Sequence, residues 1–193
     1  MSPVLRGTVY KTDMKQIVSE AENSFGFAQI QLVSFEDLYA GKILAALDRQ
    51  HPRDLFDIKN LLKNEGFTPK LKEAFIVYLI SHNRRILEIL NPSRIEIKEI
   101  FETDFQGMTT YPVKIDDLLE AREDLIQIIH TKLHKKDKLF LLGFKNGNPD
   151  WDYFNVPHIK ELPAVKWKQH NLKRMRATER KKMIDALQSY FKM

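Results

Sequence analysis

At 193 residues the chain has room for one sizeable domain, or for a small domain joined to a helical one, with a core that needs no covalent staples. It holds no cysteine, which excludes disulfides, zinc–thiolate centres and thiol nucleophiles and points to a reducing, cytoplasmic setting; the absence of a long apolar run and of a cleavable-leader pattern predicts neither membrane insertion nor export. The net charge of +5 is concentrated, because Lys166, Lys168, Lys173, Arg174, Arg176, Arg180, Lys181 and Lys182 face Glu179 alone, leaving the rest of the chain slightly acidic.

Taken in order, the first ten residues have β-type composition, and Thr12 as an N-cap predicts a helix over about 13–23, ended by Gly26. Ala28 to Val33 alternates polar and apolar residues, which predicts a half-buried strand with Ile30 and Leu32 on its inner face. Ser34, with Asp37 three residues on, starts a Leu/Ala-rich helix that runs to Arg49. Pro52 opens the next helix and Gly66 closes it. Thr68-Pro69 opens a third, whose nearly continuous apolar band from Ala74 to Ile80 predicts a buried central helix.

Asn91-Pro92-Ser93 breaks the pattern before a short helix, and Gly107 to Pro112 is a loop. Ile115, Leu118, Leu119, Arg122, Leu125, Ile126, Ile129 and Leu133 then recur at helical spacing, with acids early and lysines late. A shorter helix through Leu139 to Phe144 stops at Asn146-Gly-Asn-Pro149; its aromatics, Trp151 and Trp167 read as core, and the last helix carries the basic run. The expected class is mainly α (α+β), with a switch from mixed to all-helical structure near residue 34.

The unusual choices concentrate between Lys42 and Asp57. A helix otherwise built of Leu, Ala and Ile carries Lys42 in its middle and Arg49 seven residues later on the same face, roughly 10 Å along the axis. Beyond the turn at His51-Pro52, Arg53, Asp54 and Asp57 begin the next helix, with the two acids adjacent on its surface. Such a cluster suits an anionic ligand held by Lys and Arg, with carboxylates orienting the cations or moving protons. It equally suits a solvated helical hairpin whose charges pair and satisfy helix ends.

Pro3 to Tyr10, Phe35 to Lys42, Asp48 to Asp57, Ile80-Ser-His-Asn83 and Leu162-Pro-Ala-Val-Lys-Trp167 together resemble the AbiEii/AbiGii-type nucleotidyltransferase toxins, the toxin half of type IV toxin–antitoxin systems of phage abortive infection. The resemblance covers nearly the whole chain. It implies that Lys42 meets nucleotide phosphates, with Arg49 and Arg53 as supporting nucleotide-binding cations, and that Asp54 and Asp57 are the candidate catalytic or orienting acids. It implies a partial nucleotidyltransferase α/β region over residues 1–34 and a helical domain over 35–193, divided into nucleotide-site helices 35–65 and a bundle over 68–193. It further implies Mg2+ and a nucleoside triphosphate as cofactors, tRNA as a possible acceptor, and an AbiEi-type antitoxin as genetic partner without a stable complex.

The departure from the family pattern is as informative. The Gly-Gly-Ser/Thr turn and Asp-x-Asp pair that hold divalent ions in such enzymes have no counterpart, since no Gly-Gly or Gly-Ser occurs and Asp13 is the first acid. A truncated chain, inactive as a transferase on its own, is the expectation that follows. The competing expectation is a helical nucleic-acid or protein interaction module.

Two further signals stand outside the cluster. His130 and His134 are four residues apart, a spacing that can place two imidazoles on one metal, but no zincin glutamate or third ligand accompanies them, and a solvated helix face is the simpler reading; no metal site is assigned. Lys173, Arg174 and Arg176, with Trp167 and Tyr190 available for stacking, could bind RNA or DNA phosphates nonspecifically, tRNA being the substrate the family resemblance implies; the plain alternative is an exposed terminal helix.

Overall fold

The structure, a computed structural model, describes residues 6–193. The expectation for residues 1–5 lies outside the described residues, and residues 6–12 form no strand. Strand β1 (Asp13–Gln16) and helix α1 (Ser19–Phe25) replace the single helix expected over 13–23. Strand β2 (Gln29–Leu32) then pairs antiparallel with β1, Asp13 opposite Leu32 and Gln16 opposite Gln29. The pairing supplies ladder hydrogen bonds that local helix propensity cannot outweigh, and Gly26 still ends α1, at φ +84°. The half-buried strand is corrected as well: both strands are exposed throughout, with Ile30 58 % and Leu32 44 % accessible.

Everything beyond is helical: α2 (Phe35–Asp48), α3 (Pro52–Asn64), α4 (Pro69–Ser81), α5 (Ile86–Leu90), α6 (Lys98–Asp104), α7 (Ile115–Lys132), α8 (Lys135–Asn146), α9 (Pro163–Arg174) and α10 (Ala177–Phe191), with two short 3-10 turns at Trp151–Tyr153 and Pro157–Glu161. The starts follow the capping chemistry in the sequence. Ser34 Oγ accepts from the Asp37 amide at 3.0 Å, and Thr68 Oγ1 from the Leu71 amide at 3.1 Å, while Pro52 and Pro69 occupy first-turn positions where a missing N–H costs nothing.

The core lies between α2 and α4, extends under α3 and α7, and continues to α8 and α10. Helix α4 is its centre, with Leu71, Ala74, Phe75, Ile76, Val77, Leu79 and Ile80 buried, as its apolar band predicts. Each such large side chain contributes about 1.5–3 kcal/mol relative to exposure. Helix α2 packs against it through Gly41, where a Cβ would make only ordinary contact with the Tyr78 ring at 3.6 Å. Trp151 packs on Phe140, Phe144 and Phe154. Trp167 does not join the core; it is 53 % exposed and stacks on His170.

The N-terminal segment belongs partly to this helical body. Val9 is fully buried, and Gly7, at φ +77°, lies so close to α9 that a Cβ would meet Leu162 Cδ2 at 2.9 Å. No other residue type fits that approach without displacement.

Candidate functional site

Helices α2 and α3 run as an antiparallel hairpin, and their turn is fixed by one residue. Gln50, buried and at φ +50°, donates from Nε2 to the Ser93 carbonyl at 2.8 Å and accepts at Oε1 from the Ile95 amide and Arg122 Nη1, both at 3.1 Å. A left-handed non-glycine residue needs such compensation. The turn sets α3 against α2 so that charges meet in register. Lys42 Nζ lies 2.5 Å from Asp57 Oδ2, each side chain about one-third exposed. One register step along, Arg49 makes a two-pronged contact with Asp54, Nε to Oδ2 at 2.5 Å and Nη2 to Oδ1 at 2.8 Å. Asp54 is nearly buried whereas Arg49 is largely exposed, so the fork points its outer edge at solvent. The Asp54 carboxylate raises the Arg49 pKa further above its ordinary value, keeping it charged at every pH of interest.

Arg53 does not join these pairs. It reaches away to the Asp104 carbonyl at 3.2 Å, and its backbone amide donates to His51 Nδ1, which caps α3. The hairpin therefore brings together Lys42 with Asp57 and Arg49 with Asp54, and sends Arg53 to the C-terminal end of α6.

Beside the hairpin a cleft of about 300 Å³ opens between α2 and α4, lined by Arg6, Gly41, Asp48, Arg49, Tyr78 and His82 among others. Its size falls at the lower limit for small-molecule sites. The guanidinium of Arg6 sits 5.8 Å above the Tyr78 ring. Asp48 Oδ1 is 2.5 Å from Arg84 Nε, close but too poorly aligned for a hydrogen bond, and Asp48 Oδ2 is 3.7 Å from His82 Nε2. Burial pushes the His82 pKa down, opposed by Asp48 and reinforced by Arg6, Lys168 and Arg84, so the ring is neutral at physiological pH. Sequence reasoning passed over Arg6, Asp48, Tyr78 and His82 as site residues. Three of them, Arg6, Asp48 and His82, lie in the family-like stretches; their convergence in space was the missing signal.

Asp37 is the larger surprise. Rather than only favouring the positive end of α2, it is 1 % exposed and accepts from the Val9 amide at 2.7 Å, the Tyr10 amide at 2.9 Å and the Tyr78 hydroxyl at 3.1 Å. Burial and the Asp37 charge push the Tyr78 pKa up, so its hydroxyl remains a donor. One carboxylate thereby ties the N-terminal segment to α2 and α4 and holds Arg6 at the cleft.

The remaining candidates are scattered. His130 Nε2 contacts the Tyr190 hydroxyl on α10, and His134 lies past the end of α7, where its backbone amide bonds Asp137 at 2.7 Å. Tyr190 also donates to the Leu90 carbonyl at 2.9 Å. Lys173 and Arg174 end α9, Arg176 begins α10 and pairs with Glu179 at 2.9 Å, and all three are exposed; the basic run is thus split across a corner between two helices.

A resident Mg2+ demands several oxygen ligands free of other cations. The residues present do not fit it: Asp54 and Asp57 are each engaged by a cation, and among the described residues no three of His, Asp and Glu gather as a metal site.

Fold and site together define a mainly helical protein organised around a cation-bearing hairpin, and among the described residues no helix is long and apolar enough to cross a membrane. Residues 1–180 match the family of the nucleotidyl transferase AbiEii toxin of type IV toxin–antitoxin systems, and the chain belongs to that family. No curated protein and no solved structure matches it. A toxin of this kind has an antitoxin as its partner.

Proposed function

We propose that this toxin-family chain is a cytoplasmic protein that binds the phosphates of a nucleoside triphosphate at the α2–α3 hairpin, through Lys42 and Arg49 with Arg53 as an outlying cation, and tRNA at its basic corner. The observation that carries the reading is the Arg49–Asp54 fork, a cation held rigid by a nearly buried acid, solvent-facing on its outer edge and lining the cleft that Arg6, Tyr78 and His82 complete. Asp54 and Asp57 act here as orienting groups. A carboxylate already shared with a guanidinium or ammonium is a poor base, and a divalent ion would have to displace those cations. Transfer by this chain alone is therefore not part of the proposal, and an AbiEi-type antitoxin would act on it without a stable complex.

Hydrogen exchange with and without GTP tests the reading. Slower exchange in α2, lost in Lys42→Ala and Arg49→Ala, is the expected outcome; unchanged exchange at saturating GTP would sink it. A radiolabelled-nucleotide transfer assay with magnesium and bulk tRNA probes the other half, where turnover abolished by Lys42→Ala would overturn the claim of inactivity.

A second reading, a helical module that binds nucleic acid or a protein and no nucleotide, is favoured by the exposed Lys173, Arg174, Arg176 and Trp167 at the α9–α10 corner. Salt-sensitive tRNA binding, lost in the triple alanine variant of those cations and accompanied by no GTP effect, would select it.

A further inference from the structure

A second cleft, of about 660 Å³, opens between the segment 83–88, α8, α9 and α10. One wall, from Ile86, Leu172, Met175, Met183 and Leu187, is apolar; the charged groups facing it are Arg84, Arg85, Lys145, Lys168 and Lys182 against Glu88 and Glu179. Both acids already have partners. Glu88 lies 3.8 Å from Arg85 and Glu179 lies 2.9 Å from Arg176, outside the cleft, while Arg84 is drawn to Asp48. Lys168 donates to the His82 carbonyl at 2.5 Å and reaches the Asn83 carbonyl at 3.4 Å, capping the end of α4 with two of its three donors.

Lys145 has no such explanation. It is 4 % exposed, on an otherwise ordinary turn of α8, and pairs with no acid among the described residues. A methionine would fill the same space without the cost of burying an ammonium. A single lysine could extend its tip to cleft water, but here Lys182 and the third donor of Lys168 share the cleft, unneutralised by its acids. Burial, then repulsion from Lys168 and Arg85, lowers the Lys145 pKa to about 8, a charge in want of an anion.

We infer that this cleft binds a small organic phosphate, its phosphoryl oxygens on Lys145, Lys168 and Lys182 and its apolar or planar body against Leu172, Met175 and Met183. Phosphate suits the site because it brings close to two negative charges and three acceptor oxygens to the three ammoniums, whereas a carboxylate brings one charge on two oxygens. The volume lies within the usual range for small-molecule sites. The site does not rest on the hairpin: it shares no residue with the Lys42–Asp57 cluster, and one wall is α10, most of which lies beyond the residues matched to the toxin family.

The test is an NMR-detected titration of the full chain with AMP, inorganic phosphate and adenosine. AMP is expected to shift the amides of Lys145, Leu172 and Lys182 and to bind more tightly than phosphate or adenosine alone. Lys145→Met should weaken binding about 10-fold to 100-fold, the loss of one charge-assisted contact. Lys182→Ala, a surface change that cannot unfold the chain, should weaken it about 3-fold to 10-fold, and Lys42→Ala should leave the cleft shifts unchanged. No shift at the cleft with AMP, equal binding by Lys145→Met, loss with Lys42→Ala, or cleft shifts produced by tRNA and by no small phosphate would each overturn the inference. GTP protection of α2 can succeed or fail independently of all these outcomes.

Discussion

The α2–α3 hairpin and the α8–α10 cleft are both cationic, and they are built in opposite ways. At the hairpin Lys42 and Arg49 have a carboxylate each, held at 2.5 Å by a turn that Gln50 locks from beneath. In the cleft Lys145 and Lys182 have none among the described residues, and the two acids present are spoken for by arginines. Paired charges near a surface contribute little to stability and mainly set geometry, whereas an unpaired buried charge costs stability until something neutralises it. The first arrangement is stable without a ligand. The second is poised for one.

The comparison can be broken most severely at Asp37, the anchor beneath the paired side. Asp37→Ala should cost about 3–5 kcal/mol in urea unfolding, because the buried Val9 amide and the Tyr78 hydroxyl lose a charged acceptor together. A loss under about 1 kcal/mol would mean that the N-terminal segment is not held through it.

The next effect has the opposite sign. Lys145→Met should stabilise the chain at pH 7 by about 2–3 kcal/mol, since it removes an ammonium held largely out of water with no acid beside it among the described residues. The pH dependence sharpens this. With its pKa lowered from 10.5 to about 8, Lys145 is neutral in the folded chain and protonated in the unfolded chain between those two values. The unfolded state binds more protons there, so stability rises with pH across that window. The gap between the wild type and Lys145→Met should close by pH 10.5 in paired urea titrations; a pH-independent gap would place the ammonium in water.

Smaller effects are expected at the hairpin itself. Asp54→Ala should cost about 1 kcal/mol, since Arg49 is largely exposed and can return to water. Lys42→Ala should cost about 0.5 kcal/mol or less, and added salt should erase most of it. A thermal-shift series at low and high salt reads both. If Lys42→Ala proves the more damaging of the two, the hairpin pairs carry more than geometry.

Local chemistry was legible where one element decides its own state. Ser34, Pro52, Gly66, Thr68-Pro69 and Gly147 place helix ends by capping, and the apolar band of α4 declares a buried helix. The periodicity of residues 115–133 likewise gives α7 within a residue. The family-like stretches named the hairpin and its charged residues, because Lys42, Arg49, Asp54 and Asp57 lie close in sequence and their helix faces follow from spacing alone.

What crosses long stretches of chain was decided only by the tertiary structure. Residues 13–16 carry no local signal strong enough to announce a strand; they become one by pairing with residues 29–32. The same pairing leaves Ile30 and Leu32 facing solvent, since nothing among the described residues covers that sheet. Asp37 reaches Val9 and Tyr78, Gln50 reaches Ser93 and Arg122, and Lys145 shares a cleft with Lys168 and Arg85. Each of these contacts depends on burial and on the direction of a side chain from a packed helix, quantities that helical periodicity constrains to a face but not to a neighbour.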